Sequence, residues 1–356
     1  GVKRWDDAAR DWIDVLGSDN RYNALAVAGT EVYSLRNDGV IARVEGDGGY
    51  TIAATDAPDG YRIRTASVIA VGGEPWVGGS LRLETHIPGS RVETPWLASA
   101  GDDEAIIHTF PTCRIGADGG FDGVAVDVHG RAWVGDRQGD GLAGWNGSSW
   151  YNVDARATAE NDSSGFYDYG GGVLAMTRAG EDLWFNQYAK GAIRFRPPAE
   201  PGGEEEWQHV WRENSPMQID GIINIVSHPD GAIFFCSDNA NWWGGGDNAQ
   251  LGVDVLFVPE RPYDPASWIH VGVSELGGNF ILTAGFERRD VVWFSVQGVG
   301  LRRWDINGLG RGPDDPLTWS DTTDDYWTDE TLVTVPGGSV SLTAVRAITV
   351  DAEGAL

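Results

Sequence analysis

FDGVAVDVHGRAWVGDRQGDGLAGW, residues 121–145, contains the pattern that decides the fold. An apolar run is followed by a tight polar turn, then by a run centred on an aromatic residue, then by a glycine-led segment that ends in a second aromatic. The pattern returns at 171–195 as GGVLAMTRAGEDLWFNQYAKGAIRF and at 281–304 as ILTAGFERRDVVWFSVQGVGLRRW. A repeat of this length, built only from strand signals, predicts a β-propeller, which is a radial array of small sheets. Looser copies lie at 24–44, 67–92 and 221–258.

The first aromatic residue of each copy sets the period of the repeat. Its occurrences are about 40–60 residues apart, the length that four short strands and their loops require. The apolar run Val291–Ser295 around one of them favours a strand over a helix. A β-sandwich with coincidental spacing is the alternative, but sandwiches rarely repeat one motif so often. The six aromatic residues are Tyr33, Trp76, Trp133, Trp184, Phe234 and Trp293.

The two ends of the chain match complementary parts of the repeat. Residues 1–15 match the later half of a copy, and residues 345–356 match the first half. We therefore predict an all-β, seven-bladed β-propeller whose closing blade is shared between the N- and C-terminal strands. Closure of this kind removes open sheet edges. Residues 1–356 are expected to form a single propeller domain, and the chain is expected to continue past Leu356 with an aromatic-centred strand.

Composition restricts the partners and the location. The 356 residues include 53 Asp and Glu against 26 Lys and Arg, a net charge of −27. This excess argues against nucleic acid and anionic membranes as partners. No stretch approaches the ~20 apolar residues of a membrane-spanning helix, so no membrane insertion is expected. The acidic, tryptophan-rich, lysine-poor composition favours an extracellular, cell-surface or periplasmic protein. Separate blades keep Cys113 and Cys236 apart, and both are expected to be buried free thiols.

The repeat resembles the propeller repeat of two-component-regulator sensor domains, and the related streptogramin-lyase and lactonase propellers share this sequence pattern. The resemblance covers nearly the whole chain and implies a propeller fold. The matched positions mark turns and packing aromatics, and they carry no chemistry. They are Val124-Ala125-Val126-Asp127, Gly130, Trp133, Gly135, Gly141-Leu142, Trp293, Gly300-Leu301-Arg302, Ile348-Thr349-Val350-Asp351 and Gly354.

Long loops are predicted to gather at one face of the propeller. Loops between blades and loops between second and third strands share a face, and segments 111–120, 156–172, 238–252 and 321–341 are assigned to these two classes. Aromatic rings beside carboxylates suit a sugar, a cationic group or an apolar peptide. Packing beneath its own loop is the alternative for each aromatic residue. The predicted ligand- or partner-binding residues are Tyr167, Asp168, Tyr169, Trp242, Trp243, Tyr326 and Trp327.

Motifs for catalysis are lacking in the sequence. There is no G-x-S-x-G elbow, and the histidines are too scattered to form a zinc motif. Calcium prefers several oxygen ligands close together, and Asp238, Asp247 and Asp254 are the candidate ligands, although they lack the spacing of an EF-hand loop.

These observations predict an extracytoplasmic binding module that takes a protein or carbohydrate ligand at the aromatic and acidic loop face. Two alternatives stay open. A metal-dependent lyase or lactonase-like enzyme would place acids and a histidine around a central pocket. A structural subunit of a cell-surface assembly would accept a strand from another chain or segment.

Overall fold

The structure is a computed structural model that describes most of the chain beyond residue 122 and, before it, mainly the backbone of the strands. The described residues are 2–6, 11–16, 22–28, 31–36, 40–44, 50–54, 61–71, 74–83, 93–100, 105–109, 123–135, 141–154, 173–187, 191–219, 221–238, 251–307, 317, 319, 325–330, 332–335, 338–341, 345 and 348.

Strands make up nearly all regular structure of the described residues. Strands β1 (Val2–Asp6) and β2 (Asp11–Leu16) form a two-stranded sheet, and six four-stranded sheets follow. In each of the six, neighbouring strands are consecutive in the chain, so each sheet is an antiparallel meander.

Sheets 1 to 6 are numbered in chain order, with four strands each. Sheet 1 contains β3 (Tyr22–Ala28), β4 (Glu31–Arg36), β5 (Val40–Val44) and β6 (Tyr50–Ala54), and sheet 2 contains β7 (Tyr61–Val71), β8 (Glu74–Leu83), β9 (Glu93–Ala100) and β10 (Ala105–Thr109). Sheet 3 contains β11 (Gly123–Val126), β12 (Ala132–Gly135), β13 (Gly141–Trp145) and β14 (Trp150–Asp154), and sheet 4 contains β15 (Met176–Ala179), β16 (Asp182–Asn186), β17 (Ala192–Arg196) and β18 (Glu206–Val210). Sheet 5 contains β19 (Ile222–Ser227), β20 (Ile233–Ser237), β21 (Gly252–Leu256) and β22 (Trp268–Gly272), and sheet 6 contains β23 (Ile281–Arg288), β24 (Val291–Val296), β25 (Gly300–Asp305) and β26 (Tyr326–Glu330).

A two-stranded hairpin of β27 (Leu332–Val335) and β28 (Gly338–Ser341) follows sheet 6. Among the described residues, helix is confined to the short α1 (Val273–Leu276) and a 3₁₀ turn at Pro265–Ser267.

The predicted repeat is confirmed strand by strand. Each of the six aromatic residues that set the period lies on the second strand of its sheet. Second strands are the most deeply buried, since all five residues of β16 and of β20 are inaccessible to solvent or nearly so. The later aromatics Trp145, Phe195 and Trp304 lie on third strands and are also buried, as packing residues of the repeat should be.

The chain divides into two compact units. The first comprises Gly1–Lys3, Asp14–Gln187 and Arg194–Gln208. Within it, β3 contacts β7, β7 contacts β11, and β11 contacts β15, so first strands of consecutive sheets adjoin. Glycines permit this close approach at one contact. A Cβ atom built on Gly123 of β11 would lie 2.6 Å from Val173 Cγ1, so any side chain there would displace Val173.

The second unit comprises Arg4–Ile13, Tyr188–Ile193 and His209–Leu356. Strand β19 contacts β23, again first strand to first strand, and one apolar cluster fills the space between sheets 5 and 6. Phe234, Val255, Phe294 and Trp304 belong to this cluster and are at most 1% exposed. Ile348 sits against β23, because a Cβ atom on Gly285 would lie 2.3 Å from Ile348 Cγ2.

The all-β fold of four-stranded antiparallel sheets is therefore confirmed. The predicted pairing of residues 1–15 with 345–356 falls outside the described residues, apart from β1, β2 and positions 345 and 348. Seven blades and a single domain stay predictions. One assignment is wrong: segment 321–341 is not a single loop between blades, because it contains β26, β27 and β28.

The error at 321–341 has a simple cause. Trp327 occupies the fourth strand of sheet 6, directly opposite Trp304. Trp319 belongs to the connection between β25 and β26, and it packs edge-to-face on Trp304 with 6.1 Å between ring centroids. Both tryptophans follow polar segments, so sequence alone left two candidates for one strand.

Candidate binding surface

The predicted binding residues are only partly described by the structure. Tyr167, Asp168, Tyr169, Trp242 and Trp243 lie outside the described residues. Their segments connect described strands: residues 155–175 join β14 to β15, and residues 238–251 join β20 to β21. The first segment joins two sheets and the second joins a second strand to a third strand, as the sequence predicted.

Trp327 is a packing residue rather than a loop residue. Its ring stacks on Trp304 with 5.4 Å between centroids and an interplanar angle of 3°, and it also stacks on Phe294 at 6.1 Å. The guanidinium of Arg302 lies 5.8 Å from the centroid of the same ring. Tyr326, the first residue of β26, is 41% exposed. Of these two residues, Tyr326 is exposed and Trp327 is half-buried.

Arg302 joins three elements of the second unit. Its Nη2 donates to the backbone carbonyl of Glu275 in α1, and its Nη1 forms an ion pair with Asp329 on β26. Burial lowers the pKa of the Arg302 guanidinium, and the charge of Glu275 opposes this shift. A half-buried arginine held in this way braces α1 against sheet 6.

Two of the three calcium candidates are described, and one of them has other partners. Asp254 Oδ2 accepts the backbone N–H groups of Gln218 and Ile219 at 2.8 and 3.0 Å, and its Oδ1 lies 2.7 Å from His270 Nδ1. This carboxylate therefore anchors the connection between β18 and β19. Asp238 is buried just after β20, and Asp247 lies outside the described residues.

Across the residues that the structure describes, no group of three or more His, Cys, Asp or Glu side chains is arranged to hold a metal ion. The calcium site at Asp238, Asp247 and Asp254 stays a prediction.

A set of polar residues that sequence reasoning missed lies at the turns between first and second strands. Asp127, 1% exposed, accepts Trp133 Nε1–H at 2.8 Å, Arg131 Nε–H at 2.6 Å and the backbone N–H of His129 at 2.8 Å. Arg131 Nη2 also donates to Pro198 O, beyond β17, at 2.6 Å. Sheets 3 and 4 are thus tied together at this end.

Sheets 5 and 6 are tied together in a similar manner. The Arg289 Nε of one turn lies 2.6 Å from Asp230 Oδ2 of the other. His228 Nε2 lies 2.7 Å from Arg289 O. Within sheet 6, Glu287 Oε2 accepts Trp293 Nε1–H at 2.7 Å, which repeats the contact made by Asp127. The signal in the sequence was a polar residue six positions before the second-strand aromatic.

The two ends of the sheets therefore differ. We call the end with the first-to-second-strand turns the turn end, and the opposite end the connector end. In a meander, connections between sheets and between second and third strands both leave from the connector end. Long connections at 110–122, 155–175 and 238–251 leave there. The 306–325 connection lies at the turn end, but its Leu317 and Trp319 pack against the apolar cluster of sheets 5 and 6.

No family model matches the sequence, and no curated protein is similar to it. Several solved structures are similar in fold. A chain of the mitotic checkpoint complex has a TM-score of 0.53 and 9% identity, over 93% of this chain and 81% of that chain. YCF48 bound to D1 peptide has a TM-score of 0.49 and 12% identity, over 81% and 80% of the two chains. Catalytically inactive virginiamycin B lyase from Staphylococcus aureus with quinupristin has a TM-score of 0.43 and 12% identity, over 78% and 92%.

These neighbours include propeller-type proteins, and the fold of this chain is of the propeller type. At such identities the likeness extends to the fold alone. None of the helices in the described part of the chain has the length and apolar character needed to cross a membrane.

Proposed function

We propose that the protein is an extracytoplasmic binding module that takes a protein or carbohydrate ligand at the connector end of its sheets. The observation that carries the proposal is the set of long connections, with their aromatic residues, that leave the connector end of the sheets. At the turn end, polar side chains such as Asp127, Arg131, His228 and Arg289 are engaged in hydrogen bonds within and between sheets. Rigid sheets that extend long loops from one end are a common arrangement for binding.

The amino-acid composition of the long connections also favours a binding site at the connector end. Segment 155–175 contains Tyr167 and Tyr169, and segment 238–251 contains Trp242 and Trp243. Tyrosine and tryptophan supply large contact areas with few rotatable bonds, which is why they dominate binding hot spots. The net charge of −27 favours a ligand with cationic groups. A composition poor in lysine and free of a membrane-spanning stretch fits an extracytoplasmic location.

The test compares two tryptophan variants. A glycan array and a displayed peptide library serve as probes, and hits are quantified by calorimetry. Trp243→Ala should lower affinity for a hit at least tenfold and leave the melting temperature nearly unchanged. Trp327→Ala, the matched control, should cost about 3 kcal/mol of stability, because its ring stacks on Trp304 and Phe294.

Two results would count against the proposal. Hits that bind Trp243→Ala as tightly as the original chain would move the site away from segment 238–251. Turnover of a lactone or glycoside by the purified protein, lost on chelation and restored by a divalent metal, would favour the lyase or lactonase-like alternative instead.

A further inference from the structure

The residue six positions before the second-strand aromatic has the same role in sheets 3 and 6. In sheets 3 and 6 the aromatic is tryptophan, and the earlier residue is a carboxylate that accepts the indole N–H: Asp127 for Trp133 and Glu287 for Trp293, at 2.8 and 2.7 Å. In sheet 5 the aromatic is Phe234, which has no N–H group. The residue six positions earlier is a histidine, His228.

His228 forms the same turn as Asp127 in sheet 3. Its N–H donates to Ala232 O at 2.7 Å, and its carbonyl accepts Gly231 N–H at 2.8 Å. Its ring Nδ1 accepts Asp230 N–H at 3.0 Å, as Asp127 Oδ1 accepts His129 N–H at 2.8 Å. The ring therefore replaces a carboxylate as the acceptor that closes the turn.

The two ring nitrogens determine the protonation state of His228. Nε2 lies 2.7 Å from Arg289 O, and a carbonyl only accepts, so Nε2 carries the hydrogen. Nδ1 faces the N–H of Asp230, so it has no hydrogen, and the ring is neutral. The residue is 3% exposed, and the ring meets Phe286 and Trp319 edge-on, at 4.8 and 5.3 Å between centroids.

We propose that His228 is an acid-sensitive latch on the turn between β19 and β20, which opens when a proton binds Nδ1. The added N–H would point at the Asp230 N–H, so the hydrogen bond that closes the turn is lost. The charged groups that face the ring are Asp230 on its own turn and Arg289 on the turn of sheet 6, and these two also pair at 2.6 Å. This inference goes beyond binding, since the latch lies at the turn end.

The direction of the pH effect follows from burial. Burial lowers the pKa of His228, and the charge of Arg289 lowers it further. The hydrogen bond to Arg289 O and the charge of Asp230 oppose this shift. The folded pKa lies below the unfolded value of about 6.5. The contribution of the latch is therefore complete above about pH 6.5, and it is lost as the pH falls through the lower folded value.

The experiment measures amide hydrogen exchange of Asp230 and Gly231 at pH 7.5 and pH 5, corrected for intrinsic exchange. Wild-type protein should lose protection about tenfold at pH 5, because loss of the turn hydrogen bond allows local opening. His129→Gln, an exposed histidine in the equivalent turn of sheet 3, should behave like wild type. His228→Asn should show no pH-dependent change, because its Oδ1 accepts Asp230 N–H and does not titrate.

An equal loss of protection at pH 5 in wild type and His228→Asn would overturn the proposal. A second measurement uses only the wild-type protein, so it does not depend on whether His228→Asn folds. Nitrogen NMR of the wild-type imidazole should show the neutral Nε2–H form at pH 7 and titration below pH 6.5. A ring that titrates above its ordinary pKa would refute the latch.

Discussion

Replacement of Asp127 by alanine should be among the most destabilising single changes in the first unit. The carboxylate is 1% exposed and 2.6 Å from the Nε of Arg131, whose side chain is 7% exposed. Loss of one partner from a buried ion pair costs about 3–5 kcal/mol, because the other charge stays in a poorly solvated place. The indole N–H of Trp133 loses the same acceptor. We expect Asp127→Ala to lower the free energy of unfolding by about 3–5 kcal/mol.

Urea unfolding followed by tryptophan fluorescence is the assay, with the midpoint and the slope both fitted. Glu181→Ala is the matched control. Its carboxylate is 71% exposed and lies 3.9 Å from Arg196, so it should cost less than about 1 kcal/mol. Asp127→Asn keeps an acceptor for the backbone N–H groups but lacks the charge. Its loss of unfolding free energy should therefore be larger than that of Glu181→Ala and smaller than that of Asp127→Ala.

A double-mutant cycle with Trp133→Phe isolates one contact of Asp127. A hydrogen bond to a charged group contributes about 1.5–3 kcal/mol, so the two changes should be coupled by a similar amount. Phenylalanine is tolerated at this position of the repeat, since Phe234 occupies it in sheet 5. A loss below about 1 kcal/mol for Asp127→Ala, or additive effects in the cycle, would refute the reasoning.

Gly285→Ala should destabilise the second unit by about 1–3 kcal/mol, since a Cβ atom there would lie 2.3 Å from Ile348 Cγ2 and 2.6 Å from Ile348 Cβ. Ile348→Ala in the same chain should recover part of that loss in urea unfolding, and an unchanged midpoint for Gly285→Ala alone would contradict the contact. Burial raises the pKa of the Cys236 thiol to about 12, so in a Cys113→Ser background Ellman's reagent at pH 8 should label Cys236 only after unfolding. Labelling of the native protein at the rate of a solvent-exposed thiol would show that Cys236 is accessible and would contradict its burial.

Local features of the fold were predictable because they repeat at short range. The short apolar runs around Trp133, Trp184 and Trp293 predict strands, and the structure shows that every residue of these second strands is buried. Cys236 was correctly expected to be a buried free thiol, since it lies on the equivalent strand of sheet 5. The fourth strand of sheet 6 was not located from the sequence, because outer strands carry weaker apolar patterns and this strand is fixed by the pairing of Trp327 with Trp304.

The polar contacts within and between sheets were less predictable than the strands. The spacing between Asp127 and Trp133 is short enough to be found in the sequence once the turn geometry is known. The contact between His228 and Arg289 spans 61 residues, and it exists only because two sheets pack side by side. Asp254 is a predicted calcium ligand, and that prediction stays open; in the structure its carboxylate holds the backbone of Gln218 and Ile219, 36 and 35 residues away.

The sequence by itself determined the strand-rich repeat, its period and the acidic, aromatic character of the long connections, since these depend on the order of apolar and polar residues along a few strands. Only the tertiary structure decided which carboxylates are engaged in the scaffold, which tryptophan occupies the last strand of sheet 6, and which histidine joins two sheets. Those outcomes depend on side chains far apart in the chain, and burial makes each such contact strong by removing water from it.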